Sequence, residues 1–146
     1  MKNIRKLYIS ELDGLIKEIS LYDDEKNLWL LNGTISNSPG NLCLHICGNL
    51  NHFFGNIIGG TGYVRDRDKE FSDKNVSREE LIKGIEETKN ILNNMFENLS
   101  DEDLLKIYPE DFFGENSTYA FVMARLISHL SYHLGQINYH RRITVG

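Results

Sequence analysis

The chain has 146 residues, a formal net charge of −5 and two cysteines. That length is about one domain, able to bury roughly two-thirds of its unfolded surface without covalent staples. The acidic balance argues against nucleic acid as a partner, and the lack of a long apolar run or a signal peptide argues against a membrane, so the expected setting is the cytoplasm.

Ile4, Tyr8, Leu12, Leu15, Ile16 and Ile19 recur at helical spacing and predict a first helix from about Asn3 to Tyr22. The following stretch, LYDDEKNLWLLNGTISNSPG, reads as loop and turn. Within it Trp29, Leu30 and Leu31 form an apolar patch, expected to fold onto the helices and line an entrance between them. Ser38-Pro39 is a helix start, a capping hydroxyl followed by proline at the first helical position. The second helix is predicted to run to about Ile58, with Leu42, Ile46, Leu50, Phe53 and Ile57 as its apolar stripe. Beside that stripe lies a polar one, His45, Asn49, His52 and Asn56. Cys43 and Cys47 share this helix and are read as reduced and at least partly buried.

Gly59, Gly60 and Gly62 end the second helix. The segment TGYVRDRDKEFSDKN alternates charge without periodicity and is expected to be a surface loop. Its glycines lack the spacing of a phosphate-binding loop. Ser77-Arg78-Glu79-Glu80 is a capping box, opening a third long helix that reaches about Asn98. Ser100-Asp101-Glu102-Asp103 caps a short turn, and Ser117 or Thr118 caps the last helix. That helix covers Phe121–Arg142, with Val122, Leu126, Leu130, Leu134 and Ile137 on its apolar face. Four amphipathic helices without strand alternation predict an all-α fold, a four-helix bundle.

His129 and His133 stand four residues apart on the last helix, so their side chains lean over the same face. Two imidazoles in that relation can share one metal ion, and a third ligand has to come from another helix. His45 and His52 are both candidates, because the stagger of facing helices cannot be read from periodicity. His140 lies further along the last helix and is expected to cap its end or face solvent. The pair is not the H-E-x-x-H of a zinc protease, since Leu130 follows His129 and no carboxylate lies between the histidines. No G-x-S-x-G occurs, and neither histidine segment carries the Glu-x-x-His of ferritin-type sites.

With a histidine early in LCLHICGNLNHFFGNIIGG and the HxxxH of SHLSYHLGQ, the chain resembles the DinB-like superfamily over essentially its whole length. HFFGNIIGGTGYVRDRDKEF is especially similar to an uncharacterised bacterial DinB-like subfamily. The resemblance implies one DinB-like domain over residues 1–146, with up-down-down-up topology and homodimeric assembly. It also implies zinc or nickel held by three histidines, which by position are His45, His129 and His133, selecting His45 over His52.

Characterised relatives in this superfamily include bacillithiol S-transferases and mycothiol-dependent maleylpyruvate isomerases. The resemblance therefore implies a divalent-metal-dependent enzyme that passes a low-molecular-weight thiol such as bacillithiol to a small-molecule electrophile. Arg65 or Arg67 would be available to the carboxylates of such a thiol, although an internal Arg–Asp network accounts for them better. Tyr132 and Asn49, adjacent in pattern to the histidines, are candidates to orient ligands. The competing expectations are metal-assisted hydrolysis and a non-catalytic, metal-binding or stress-associated dimeric bundle. The sequence assigns no catalytic residue.

Overall fold

The computed structural model describes residues 1–144, which contain α-helices and short helical turns and no strand beyond the isolated bridge between Ile107 and Thr118. Four helices form the bundle: α1 (Lys2–Ser20), α2 (Pro39–Leu50), α4 (Arg78–Glu97) and α5 (Tyr119–Thr144). Between α2 and α4 lies a fifth, α3 (Arg67–Ser72), of under two turns.

Contacts between named residues fix the directions. Arg5 meets Glu97 while Lys89 meets Asp13, so α1 and α4 run antiparallel. Tyr8 reaches Met123 and Glu18 reaches Arg141, so α1 and α5 run parallel. His45 meets His129 whereas Leu42 and Tyr139 share a groove, so α2 runs against α5. The result is the expected all-α four-helix bundle with up-down-down-up topology.

The helix starts follow from local chemistry. Ser38 accepts from the Asn41 amide at the start of α2, and Pro39 occupies the first helical position. The capping box of α4 is complete, with Ser77 and Glu80 satisfying each other's backbone. Thr118, not Ser117, receives the first free amide of α5, from Phe121. Leu12, Leu15 and Ile19 of α1, Ile85 and Leu92 of α4, and Val122, Leu130 and Ile137 of α5 are fully buried, and Leu50, Phe53 and Phe54 close one end of the core.

Four details differ from the sequence expectation. The second helix changes to a π-helical segment at Asn51–Asn56 before it ends. The alternating-charge stretch is not wholly loop, because α3 forms inside it with Asp66 as its cap. The patch before α2 divides: Leu28 is buried and Trp29 packs on Gly40, whereas Leu30 and Leu31 stay exposed. His140 does not face solvent: the chain after α1 folds over it, its ring is 8% exposed, and it pairs with Tyr22 and the Leu30 carbonyl. Cys43 and Cys47 are both free, with Cys43 buried, as expected.

Candidate metal centre

The antiparallel pairing of α2 and α5 brings His45 opposite the i,i+4 pair His129 and His133. The His129 Nε2 lies 3.1 Å from the His45 Nε2 and 3.1 Å from the His133 Nε2. One ligand atom from each residue falls within 4.8 Å of the other two, so the three form a group that could hold a metal ion. Two nitrogens bound to one ion at about 2.0–2.1 Å each lie about 2.9–3.4 Å apart for bond angles between octahedral and tetrahedral values. The two spacings at His129 agree with that range.

The outer nitrogens explain why the Nε2 atoms present lone pairs. The His45 Nδ1 lies 2.8 Å from Glu70 Oε2, and as the group beside an anion it carries the proton and donates it. Its Nε2 is then an acceptor. His133 repeats the arrangement, with Nδ1 2.6 Å from Gln136 Oε1 and Nε2 turned inward. Between them the His129 Nε2 can donate to one neighbour only. Converging acceptors without enough protons to satisfy them are what a cation resolves, and the donor set therefore fits a divalent metal.

Electrostatics point the same way. Burial, helped by the neighbouring imidazoles and by Arg65 and Arg125, lowers the His129 pKa to about 4. Burial also lowers that of His133, against the hydrogen bond that its Nδ1–H donates to Gln136 Oε1. Both rings are therefore neutral at neutral pH, the form a metal requires.

Glu70 is the residue that the sequence reading missed. It sits on α3, is 6% exposed, and is held by Arg65, whose Nε lies 2.7 Å from Oε1 and whose Nη2 lies 2.9 Å from Oε2. Burial pushes its carboxyl pKa up, but hydrogen bonds from Arg65 and His45 outweigh this and leave it lowered. Arg65 Nη2 also passes 3.3 Å from the His45 Nδ1, but the closer, anionic carboxylate is the partner of that ring's proton. Arg65 thus pairs with a glutamate rather than within an Arg–Asp network. Arg67 lies over the Phe71 ring at 5.3 Å, and Asp66 caps α3. The only sequence signal for Glu70 is Gly48, a glycine inside a predicted helix, which marks a close approach by something else.

The other candidates separate. His52 lies outside the cluster, 3.9 Å from Glu110, and His140 belongs to the far end of α5. The Tyr132 ring is mostly exposed and edges onto His133. Asn49 is 7% exposed, and its buried Oδ1 has no hydrogen-bond partner among the described residues.

Two cavities lie along α5, of which one is lined by a histidine of the cluster. A groove of about 780 Å³ runs along α5 from Tyr132 and Gln136 to His140 and Ile143, with Pro39, Leu42 and the loop residue Ile35 on its other side; no histidine of the cluster lines it. It is bordered by residues after Leu31, not by the Trp29–Leu31 patch expected to line an entrance. The second cavity, of about 230 Å³, is lined by Asn49, Phe112, Phe113, Arg125, Leu126 and His129. No helix among the described residues is long and apolar enough to cross a membrane.

Residues 4–145 match the family described as "Protein of unknown function (DUF1572)". Among solved structures, the chain is similar to that of a DinB-like protein from Bacillus cereus ATCC 10987. The TM-score is 0.74 at 18% identity, and the likeness covers 99% of this chain and 92% of that one. At that identity the likeness is one of fold. No curated protein matches the chain.

Proposed function

Because the chain belongs to the DUF1572 family and has the DinB-like fold, we propose that it is a divalent-metal-dependent enzyme that joins a low-molecular-weight thiol to an electrophile. The observation that carries this reading is the convergence of three Nε2 atoms, two of them turned inward by Glu70 and Gln136 on the outer nitrogens. His45, His129 and His133 are the ligands in this reading. A divalent ion held there would supply Lewis acidity and favour the thiolate of a thiol brought beside it.

The chain's own residues do the rest. Arg65 holds Glu70, Glu70 holds the His45 ring, and Gln136 holds the His133 ring, so the donors are positioned before a ligand arrives. Three protein donors leave part of the coordination shell open, as catalytic sites do. The cavity lined by His129 leaves room for a small molecule beside the cluster, and the groove lined by Gln136 lies next along α5. Metal-assisted hydrolysis is less favoured, because the carboxylate nearest the cluster, Glu70, lies on the Nδ1 side of His45 and is occupied by Arg65. Zinc or nickel as the metal, bacillithiol as the thiol, homodimeric assembly and a cytoplasmic setting complete the reading and rest on the family resemblance.

The test is thiol consumption in the presence of an alkylating electrophile. Zinc- or nickel-loaded protein is expected to accelerate it, and the His133→Ala variant is not. Acceleration equal in both proteins, or absent from the loaded wild type, contradicts the reading.

A further inference from the structure

The outer face of α5 lacks the charges a solvent-facing helix usually carries. No Asp, Glu, Lys or Arg occurs from Leu126 to His140, although Ser128, Tyr132, Gly135, Gln136 and Tyr139 are all exposed there. By contrast, α4 exposes Glu79, Glu80, Lys83, Glu86, Glu87 and Glu97. A face depleted of charge and carrying aromatic rings is the composition of an interface core.

The order of residues on that face sets the shape of what covers it. Arg125, Ser128, Tyr132, Gly135, Tyr139 and Arg142 follow at alternating steps of three and four, and all six are exposed. Such a seam suits a second helix packed along its length. Its middle reads small, large, small, large, in Ser128, Tyr132, Gly135 and Tyr139. Reversed, the same order reads large, small, large, small. Two copies of α5 laid antiparallel therefore seat every tyrosine on a small residue, whereas a parallel pair sets like against like.

Gly135 has no reason within the chain. An interior helical glycine costs about 1 kcal/mol relative to alanine. At Gly40 and Gly48 a neighbour explains it, since an added Cβ would strike Trp29 or Glu70. At Gly135 an added Cβ would meet nothing within 4 Å, a freedom that among the helical glycines described only Gly84, on the charged helix α4, shares. Charge also favours the antiparallel order. The loop Glu110–Glu115, whose Phe112 and Phe113 line the cavity beside Arg125, carries three acids and no base. At the other end Arg142 stands exposed, next to the Arg141 that pairs with Glu18. Antiparallel pairing brings Arg142 of one copy opposite the acidic end of the other, offsetting its meeting with Arg125.

We propose that a second copy of this chain packs antiparallel along the outer face of α5, with Tyr132 of each copy on Gly135 of the other and Ser128 opposite Tyr139. The groove lined by Tyr132, Gly135 and Tyr139 receives the incoming ring. The seam passes beside the metal centre, because Gly135 precedes the Gln136 that holds the His133 ring and Tyr132 edges onto His133. Each copy thus supplies a tyrosine to the wall of the other's cluster. The inference gives the homodimer of the proposed function its face, and it rests on that reading for assembly alone, not for the metal or the thiol.

The experiment is sedimentation equilibrium on the full chain, metal-free and zinc-loaded, beside cysteine cross-linking. Wild-type protein is expected to be a dimer. Gly135→Glu should keep the wild-type helical content, since nothing in the chain fills that space, and weaken the dimer at least about a hundredfold by burying an unpaired charge. The double variant Ser128→Cys, Tyr139→Cys should form a disulfide-linked dimer on oxidation, with the wild type as control for Cys43 and Cys47. The two positions lie about 16 Å apart along one helix, too far for a bridge within one chain. Ser128→Cys alone should stay unlinked, and its linkage would mean a parallel pair and overturn the arrangement. A monomeric wild type, a dimer untouched by Gly135→Glu, or an unlinked double variant overturns the interface. Zinc content and thiol consumption score the enzyme reading separately. A monomer that consumes thiol keeps that reading and loses the interface, and a cross-linked dimer that binds no zinc does the reverse.

Discussion

A Cβ placed on Gly48 would lie 2.1 Å from Glu70 Oε1. The glycine in α2 is therefore the space into which the Glu70 carboxylate fits as it reaches His45. On helix propensity alone, alanine at an interior helical position stabilises by about 1 kcal/mol relative to glycine. The structure predicts the opposite for Gly48→Ala: a lower melting temperature and a metal affinity reduced about tenfold, the usual scale for losing an outer partner of a metal-bound histidine. Thermal melts and competition against a chelator would show it. A more stable variant with unchanged affinity would mean that Glu70 does not position His45.

Arg65 and Glu70 are both largely buried, at 12% and 6% side-chain exposure, so neither can be removed alone without stranding the other's charge. Arg65→Ala is expected to cost about 3 kcal/mol in denaturant unfolding. Arg65→Lys should recover little of it, because lysine cannot reproduce the two-pronged contact with both carboxylate oxygens. Full recovery by lysine would reduce the pair to simple charge neutralisation.

Asn41 secures the segment that carries Glu70. It is 1% exposed, and its Nδ2 donates to the Glu70 and Asp73 carbonyls, each at 2.9 Å. Asn41→Ala leaves the buried Glu70 carbonyl and the part-buried Asp73 carbonyl without this donor and should destabilise the fold by about 2 kcal/mol. Hydrogen exchange is expected to accelerate first in Arg67–Ser72, ahead of the four long helices. Uniform acceleration throughout the bundle would contradict this role.

His140 predicts a pH dependence separate from the metal centre. Its Nε2–H donates to the Leu30 carbonyl at 3.0 Å, and its Nδ1 lies 2.9 Å from the Tyr22 hydroxyl. Burial lowers its pKa, against the hydrogen bond to Leu30. The unfolded chain then takes up this proton at a higher pH than the folded one, about 6.5. Stability is unaffected above that value and declines as pH falls below it, until the folded pKa is passed. In metal-free protein the wild type should lose more stability than His140→Gln between neutral pH and that lower limit. Parallel pH profiles for the two would show that the ring titrates normally.

Much of this was legible in the chain. The long helices announce themselves through Leu12–Ile19, Leu81–Leu92 and Val122–Ile137 spacings and through the caps Ser38 and Ser77, because helix initiation is local chemistry. The histidine pair on α5 was legible for the same reason, while choosing His45 over His52 took the family resemblance, since stagger is a tertiary property. What escaped was non-local. Arg67–Ser72 is too short to show a period, and it is held by Asn41 and Arg65 from elsewhere in the chain. His140 was misplaced because its burial comes from the chain after α1 folding across the far end of α5, which no pattern within α5 reveals.

Three converging nitrogens that hold one divalent ion would make its presence depend on each of the histidines. The most direct measurement is metal content by mass spectrometry on protein purified without an affinity tag, alongside His45→Ala and His133→Ala. About one ion per chain is expected in the wild type, with near-complete loss in both variants. Wild-type protein that takes up neither zinc nor nickel when soaked, or variants that keep a full complement of metal, would contradict it.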